Sequence, residues 1–298
     1  MTVETPFPRD LRLVAGMWRL TDWQLALPQR VAFIEHCLAQ GIHWFDHARV
    51  YGAGQAEVDF GEALVQLAPS RRAQVRLVTK CGIEFPGLQG SPARVKHYDL
   101  SAARIASSVE QSLRALRVDR VDVLLLHRPS PLMDYDEMAR ALQRLVADGK
   151  VGGVGVSNFT AAQFEALNQR VPLVTQQIEC SPMHLAPLYD GMLDVLQARG
   201  VRPMFWSALG GGRLFAPQAS AEVQAMRAAF ERAAQVLGMP SAVAAVYAWL
   251  WRLPASPVLI TGSGRTQAID EAVAASQCNF PLELWFEVLA AIQGREVP

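Results

Sequence analysis

The chain has 298 residues with 28 basic and 28 acidic side chains, 51% hydrophobic residues and only 19% charged residues. A neutral chain lacks the basic face of a dedicated nucleic-acid or anionic-membrane binder, so neither partner is expected. The length allows two domains, but α/β barrels often reach this size as one. Only three basic residues are lysines, Lys80, Lys96 and Lys150, so a lysine at a special position is easy to recognise.

The N-terminus, the hydropathy and the cysteines bear on the compartment. No basic segment followed by an apolar run opens the chain, so no signal peptide is expected. Polar residues interrupt every apolar stretch before the roughly 18 residues that a membrane helix needs. The four scattered cysteines form no CxxC pair, which favours reduced thiols over a disulfide framework or a zinc site. These features predict a cytoplasmic protein without a bound metal, and they leave the oligomeric state open.

Short apolar runs alternate with amphipathic helical stretches from end to end. Several runs are continuous Val, Ile and Leu, as expected for parallel strands buried on both faces. The eight predicted strands span residues 11–14, 44–45, 75–78, 121–126, 151–156, 173–178, 202–206 and 258–260.

Helix boundaries are marked at three of the stretches between these runs. The first stretch stops at Gly41, which is typical of a C-terminal cap. Ser101 precedes the second stretch, with apolar residues at helical spacing after it. Asp134, with Glu137 three residues later, predicts a capping box at the start of the third.

Eight strands alternating with helices, with no linker between them, favour one α/β domain over residues 1–298, a single (β/α)8 TIM barrel. Two additional helices are predicted near the C-terminus, at 243–253 and 282–292, and the second could cover one barrel face. The alternative is a doubly wound open sheet. Its dinucleotide-binding version needs GxGxxG after the first strand, where this chain has Gly16-Met17-Trp18-Arg19.

Ionisable residues follow three of the predicted strands. Asp46, Lys80 and His127 each stand at a strand end, and Tyr51 lies five residues after Asp46. Taken singly, they could be a helix cap, a surface charge, a core histidine and a loop aromatic. Because the active sites of barrels lie at the C-terminal ends of the strands, their convergence predicts one catalytic site.

The four residue types suit the protonation of a carbonyl oxygen. A tyrosine with a reference pKa near 10 needs its phenolate stabilised, which a lysine ammonium held by a carboxylate can do. A neutral histidine can orient the carbonyl oxygen through a ring N–H. None of the four supplies hydride, so a nicotinamide cofactor is implied. A Schiff-base enzyme using Lys80 is the alternative, but it leaves Asp46 and Tyr51 unexplained.

Seven short segments occur in order at the spacing of one known family. They are Trp44-Phe45-Asp46-His47-Ala48-Arg49-Val50-Tyr51-Gly52, Thr79-Lys80-Cys81-Gly82, Leu126-His127-Arg128-Pro129, Gly149-Lys150-Val151 through Gly155-Val156-Ser157-Asn158-Phe159, Gln177-Ile178-Glu179, Trp206-Ser207-Ala208-Leu209-Gly210-Gly211-Gly212-Arg213-Leu214 and Ile260-Thr261-Gly262-Ser263-Gly264-Arg265. In these segments the chain resembles the aldo-keto reductase superfamily, especially the bacterial YdhF-type oxidoreductases. The resemblance implies that Tyr51 is the general acid. Lys80 and Asp46 would tune it, and His127 would orient the carbonyl.

The same resemblance implies a set of cofactor contacts. Glycine-rich loops let backbone N–H groups approach phosphate, and a helix N-terminus favours the same anion. Arg265 would pair with the adenosine 2′-phosphate, which favours NADPH over NADH, unless it is an ordinary surface cation. Many NADPH users have another arginine three residues later, where this chain has Ala268. The implied contacts are Ser157, Asn158 and Gln177 with the carboxamide, Trp206 stacked on the nicotinamide, Ser207, Leu209 and Gly210 with the pyrophosphate, and Gly262, Ser263, Gly264 and Arg265 at the adenosine end.

The sequence leaves two functions open for this barrel. The first is NADP(H)-dependent reduction of aldehydes or ketones, and the alternative is a nucleotide-binding sensor or partner subunit with little turnover. Substrate choice would lie in loops 16–23, 84–98, 128–134 and 212–219. In these loops Trp18, Trp23 and Phe85 could form an apolar wall. The sequence assigns no arginine as a carboxylate clamp, and Arg49 is expected to point outward.

Overall fold

Eight parallel strands close into a barrel in the described part of the chain, residues 6–276 and 278–296 of this computed structural model. Residues 1–5, on which the expectation of no signal peptide partly rests, lie outside that part. A two-stranded hairpin, β4 with β5, is inserted after the third barrel strand. In chain order the strands are β1 (Leu13–Gly16), β2 (Trp44–Asp46), β3 (Arg76–Cys81), β4 (Ile83–Glu84), β5 (His97–Tyr98), β6 (Val121–Leu126), β7 (Val151–Ser157), β8 (Leu173–Glu179), β9 (Met204–Trp206) and β10 (Val258–Thr261).

The order around the barrel is β1-β10-β9-β8-β7-β6-β3-β2, and β1 pairs with both β10 and β2. This closure confirms the predicted (β/α)8 barrel. Helices connect consecutive barrel strands and pack outside them, and two more helices follow the last strand. They are α1 (Leu27–Ala39), α2 (Gln55–Leu64), α3 (Pro69–Arg72), α4 (Ala102–Leu116), α5 (Tyr135–Ala147), α6 (Ala161–Asn168), α7 (Met192–Arg199), α8 (Ala221–Leu237), α9 (Ala242–Trp251), α10 (Thr266–Ala275) and α11 (Leu282–Gln293).

Two apolar layers account for the burial of the strands on both faces. One cluster fills the barrel interior and includes Val14, Val78 and Val123. A larger cluster lies between the strands and the helices and includes Phe45 and Ile105. Because successive strand residues point to opposite faces, two apolar layers require continuous apolar runs, which is the pattern of this sequence.

The helix starts follow the predicted caps, with one correction at α5. Asp134 accepts the N–H groups of Asp136 and Glu137, each at 2.9 Å. The other half of the predicted capping box is wrong. The Glu137 carboxylate instead accepts the N–H of Ala102, the first residue of α4, at 2.7 Å. Glu137 therefore joins two neighbouring helices rather than closing its own.

The two additional helices near the C-terminus are present as α9 and α11. Trp249 and Trp285 stack with ring centroids 5.0 Å apart, and each indole N–H donates to the other residue's carbonyl. In the described ranges no single helix is long and apolar enough to cross a membrane. In that part of the chain, α8 and α9 reach the necessary length and hydropathy only when they are taken together, and they are bent by 85° relative to each other.

Candidate active site

Side chains on the inward face of the strands reach the barrel mouth. Asp46 lies two residues after Trp44, and Lys80 two residues after Val78, and both of those apolar residues belong to the interior cluster. The period of two along a strand therefore points both ionisable side chains into the barrel. The same alternation brings His127 to the mouth above Leu125.

Lys80 is the centre of a buried hydrogen-bond network. Its Nζ lies 2.8 and 2.7 Å from the two carboxylate oxygens of Asp46 and donates to the carbonyl oxygen of His47 at 2.8 Å. It also donates to the hydroxyl oxygen of Tyr51 at 2.9 Å. Gln177 adds a donor to Asp46 Oδ1 at 2.8 Å. The structure thus brings together three members of the predicted tetrad.

The charge on Lys80 is held in place by its partners. Burial disfavours the ammonium, but the charge of Asp46 and the contact with Tyr51 outweigh burial and raise the pKa of Lys80. A Schiff base needs a neutral amine with a free lone pair. The donors of this ammonium are directed at Asp46, His47 and Tyr51, so the arrangement disfavours the Schiff-base alternative.

The Tyr51 hydroxyl is buried as well as placed beside Lys80. Burial raises the pKa of the hydroxyl above its usual range, and the positive charge of Lys80 offsets this only in part. The sequence predicted that Lys80 lies beside Tyr51, but its spacing carries no information on the desolvation of the hydroxyl. Tyr51 is protonated at neutral pH. Its oxygen accepts from Lys80, so its own proton can be donated into the cavity.

His127 stands across from Tyr51, with ring centroids 5.9 Å apart and nearly perpendicular planes. Burial lowers the pKa of His127 well below its usual value, and the charges of Lys80, Arg128 and Lys96 lower it further. The ring is therefore neutral. Its Nδ1 is buried without a hydrogen-bond partner among the described residues, so Nε2 is the nitrogen that can reach a ligand.

A cavity of about 1180 Å³ opens over this network. That volume exceeds the range of roughly 300–1,000 Å³ typical of drug-sized ligands, and it has room for an extended ligand. Trp18, Trp23 and Phe85 line the cavity, as the predicted apolar wall requires. Tyr51 and Arg265 both line the cavity, and we call the regions around them its two ends.

The residues expected at the nicotinamide line this cavity together. Asn158 has a positive φ of 60°, donates to Ser157 Oγ at 2.7 Å and accepts the indole N–H of Trp206 at 3.2 Å. These bonds fix the Trp206 ring at the cavity wall. The amide nitrogen of Gln177 is directed at Asp46, so its oxygen is the atom left for a ligand.

The loop after β9 is the expected pyrophosphate site. Ser207 and Leu209 line the cavity, but Gly210 is not among its lining residues. The Gly210 N–H donates to the Ser207 carbonyl at 2.7 Å, and a Cβ at this position would lie 2.5 Å from Met183 Sδ. Gly212 lines the cavity and has open space where a Cβ would stand. The loop can therefore admit a phosphate, with Gly212 rather than Gly210 at the surface.

The segment before α10 is the expected site of the adenosine end of the cofactor. Gly262, Ser263, Gly264 and Arg265 all line the cavity. A Cβ on Gly262 would meet nothing within 4 Å, which leaves room for a ligand beside the backbone. Arg265 is exposed at the start of α10, where backbone N–H groups favour an anion. The donor set thus fits a phosphorylated nucleotide.

Several residues of this site were not predicted. Arg19 lines the cavity and donates to the Gly211 carbonyl at 2.9 Å, which ties two mouth loops together. Glu271 lines the cavity beside Arg265 and Ala268.

Arg49 was expected to point outward, but it is 3% exposed and paired with Glu84 at 2.9 Å. The described residues contain no cluster of His, Cys, Asp or Glu that could hold a metal ion.

A second buried group of side chains lies behind Lys80. Glu57 on α2 accepts from Thr79 at 2.5 Å, and burial raises its pKa to about 7. The His47 ring packs edge-on against Phe60, and burial lowers its pKa to about 3. Glu57 stands at helical spacing from Phe60 and Leu64, within the apolar stripe of α2. That spacing could have predicted from the sequence that this acid is buried.

Known proteins are similar to this chain in sequence and in fold. The aldo/keto reductase family model matches residues 12–291. Oxidoreductase YdhF of Escherichia coli K12 is 44% identical over 100% of this chain and 99% of its own. The 6-dehydroglucose reductase of Agrobacterium fabrum is 43% identical over 96% of this chain and 95% of its own. The structure of a glycerol dehydrogenase from Gluconobacter oxydans matches with a TM-score of 0.83 and 25% identity, covering 100% and 94% of the two chains. The chain therefore belongs to the aldo/keto reductase family.

Proposed function

We propose that this protein reduces aldehyde or ketone carbonyls to alcohols with NADPH, and that Tyr51 is the proton donor. The observation that carries the proposal is the position of Lys80 Nζ, which lies 2.7 Å from Asp46 and 2.9 Å from the Tyr51 hydroxyl. A buried, charge-balanced ammonium at a tyrosine hydroxyl stabilises the phenolate that forms after proton donation.

The substrate oxygen sits between the Tyr51 hydroxyl and His127 Nε2. His127 is neutral, so it donates a hydrogen bond to the oxygen without protonating it. Bound NADPH supplies hydride to the carbonyl carbon. Tyr51 gives its proton to the oxygen, and Lys80 holds the resulting phenolate until solvent returns the proton. The balance is one carbonyl, one NADPH and one proton consumed, with one alcohol and one NADP⁺ formed.

Trp206 would hold the nicotinamide of a bound cofactor by stacking on one face of its ring. Ser157, Asn158 and the Gln177 oxygen would bind its carboxamide, and the opposite face would be left for the substrate. The loop after β9 and the N-terminus of α10 receive the phosphates. Arg265 pairs with the 2′-phosphate, which makes NADPH the preferred cofactor and NADH the weaker one.

Relatives support the reaction class without defining the substrate. One similar protein carries the name oxidoreductase, and another is named for the reduction of 6-dehydroglucose. The apolar wall of Trp18, Trp23 and Phe85 suits a substrate whose body is hydrophobic.

The first test is NADPH oxidation with a panel of aldehydes and ketones, followed by the loss of nicotinamide absorbance. We expect steady turnover with at least one neutral aromatic aldehyde. A parallel titration should show quenching of tryptophan fluorescence by NADPH, because the cofactor stacks on Trp206. Tight NADPH binding with no turnover on any carbonyl would overturn the proposal and favour the sensor or partner subunit.

A further inference from the structure

Two cations outside the expected cofactor contacts line the cavity. Arg128 directly follows His127 at the end of β6, and its guanidinium carbon lies 5.9 Å from the centre of the Trp206 ring. Lys96 reaches the same cavity from the loop between β4 and β5. The expected cofactor contacts follow β7 to β10, whereas Arg128 follows β6, the neighbour of β7, and Lys96 lies between the two strands of the inserted hairpin.

Neither cation is neutralised in the described part of the chain. No carboxylate lies within ion-pair distance of Arg128 or Lys96 there, whereas Arg49 nearby is paired with Glu84 at 2.9 Å. The carboxylates that line the cavity are Asp46, held by Lys80, and Glu271, on α10 at the adenosine end. Arg128 and Lys96 therefore leave unbalanced positive charge on the cavity wall.

These charges lie close enough to act on the reacting groups. Burial is the main cause of the lowered pKa of His127, but Arg128 and Lys96 both contribute to it. Arg128 also lowers the pKa of Tyr51, against the larger effect of burial. A substrate held at Tyr51 and His127 would thus lie near a guanidinium that has no carboxylate partner among the described residues. In a partly enclosed cavity, unpaired cations raise the local concentration of anions.

We propose that Arg128, assisted by Lys96, binds an oxyanion group of the substrate, so that the preferred substrates are aldehydes or ketones bearing a carboxylate or sulfonate. The inference rests on the proposed carbonyl reduction and names its substrate class. The planar guanidinium can hold two oxygens of such a group at once, while Trp18 and Phe85 contact the apolar body between the two ends. This arginine supplies the clamp that the sequence alone did not assign.

The test compares 4-carboxybenzaldehyde and 4-formylbenzenesulfonate with methyl 4-formylbenzoate, which has the same ring and no charge. In the wild type we expect kcat/KM for the anions to exceed that for the ester by about tenfold or more, the value of one charge-assisted hydrogen bond. Arg128→Gln should lower that ratio by on the order of tenfold, mainly through KM of the anions. Lys96→Gln should lower it by about twofold to fivefold, because Lys96 is exposed.

Arg252→Gln is the matched control. It removes one positive charge from an exposed arginine that does not line the cavity, so the ratio should stay at the wild-type value. Equal kcat/KM values for acid and ester in the wild type would overturn the anion site while leaving carbonyl reduction intact. An unchanged ratio of these values in Arg128→Gln would do the same. A weaker affinity for NADPH in Arg128→Gln with an unchanged ratio would assign the arginine to the cofactor instead.

A binding measurement separates this inference from catalysis. Calorimetric titration of 4-(hydroxymethyl)benzoate and its amide requires no turnover. The acid should bind the wild type about tenfold more tightly than the amide, and Arg128→Gln should abolish the difference. If no carbonyl is reduced but this preference is present, the proposed function fails and the anion site stands. If both ligands bind equally, the anion site fails whatever the turnover.

Discussion

The two ends of the active-site cavity are built differently. At the Tyr51 end, Lys80 is 1% exposed and its donors are directed at Asp46, His47 and Tyr51. At the other end, Arg265 is exposed and makes no ion pair with any described residue. The Tyr51 network is thus held in place by the protein's own side chains, whereas Arg265, which we propose to bind the 2′-phosphate, has no carboxylate partner among the described residues.

This difference follows from what each end must do. Stabilising a developing charge requires donors that are already oriented, because reorienting them during the reaction costs free energy. Burial supplies that rigidity, and it also makes each partner of the Lys80 network hard to remove. An exposed arginine loses less on binding a phosphate and is easier to replace. Changes at the two ends should therefore differ in kind as well as in size.

The largest effect is expected from Tyr51→Phe. Removing the hydroxyl removes the proton donor while the ring still fills its place, so kcat/KM for aldehydes should fall by about 10²- to 10⁴-fold. Affinity for NADPH should stay within about threefold of the wild type, because the cofactor contacts lie elsewhere. Steady-state kinetics and fluorescence titration measure the two quantities. Tyr189→Phe, on the surface, is the control, and near-wild-type turnover by Tyr51→Phe would remove Tyr51 from the reaction.

Lys80→Met should destabilise the fold as well as stop the reaction. It leaves the Asp46 carboxylate buried beside an apolar chain, which costs about 3–5 kcal/mol. The double variant Lys80→Met with Asp46→Asn should recover most of that loss, because no unpaired charge remains. Arg265→Gln should change the free energy of unfolding by less than about 0.5 kcal/mol. Denaturant unfolding measures all three, and a loss below about 1 kcal/mol for Lys80→Met would contradict the buried ion pair.

Glu57 predicts a pH dependence of stability behind the Lys80 network. Burial raises its pKa from 4.5 to about 7, against hydrogen bonds from Thr79 and Ser112. The folded chain therefore holds this proton more tightly than the unfolded chain, and the contribution of Glu57 to stability falls as the pH rises from about 4.5 to about 7. The free energy of unfolding of Glu57→Gln, taken relative to that of the wild type, should therefore rise by on the order of 3 kcal/mol from about pH 4 to pH 8.

Unfolding of both proteins across that pH range measures the gain. Glu222→Gln, at an exposed position on α8, should show no such gain. A constant difference between wild type and Glu57→Gln at all pH values would show that the carboxyl titrates normally in the folded protein.

The smallest effect is expected at the adenosine end. Arg265→Gln should weaken NADPH binding by about tenfold, the loss of one charge-assisted contact with the 2′-phosphate. NADH lacks that phosphate, so its affinity should change by less than about twofold. Fluorescence titration with both nucleotides measures this. An equal loss for NADPH and NADH would mean that Arg265 contacts another part of the cofactor.

The barrel and the tetrad could be predicted because both depend on simple periodicities. Strand residues alternate in direction, so Asp46 and Lys80 had to share the inward face once the strands were placed. The hairpin β4–β5 could not be predicted, because two residues a strand give no pattern. Arg49 was misjudged since its partner Glu84 lies 35 residues away in the chain.

The electrostatics were harder to predict than the positions. The direction of the Tyr51 pKa depends on how completely packing excludes water, and sequence spacing contains no measure of that. Gly210 was expected at the pyrophosphate because its neighbours are glycines. Which of three consecutive glycines faces the cavity depends on backbone angles that glycine alone does not fix.

Transfer of deuterium from the cofactor tests the central claim most directly. The wild type is incubated with an aromatic aldehyde and NADPH deuterated at C4 of the nicotinamide, using each C4 epimer in turn, and the alcohol is analysed by mass spectrometry. The proposed stacking on Trp206 would leave one nicotinamide face open, so one epimer should deliver deuterium to the former carbonyl carbon and the other should deliver only hydrogen. Alcohol without deuterium from either epimer, or no alcohol at all, would contradict hydride transfer at this site.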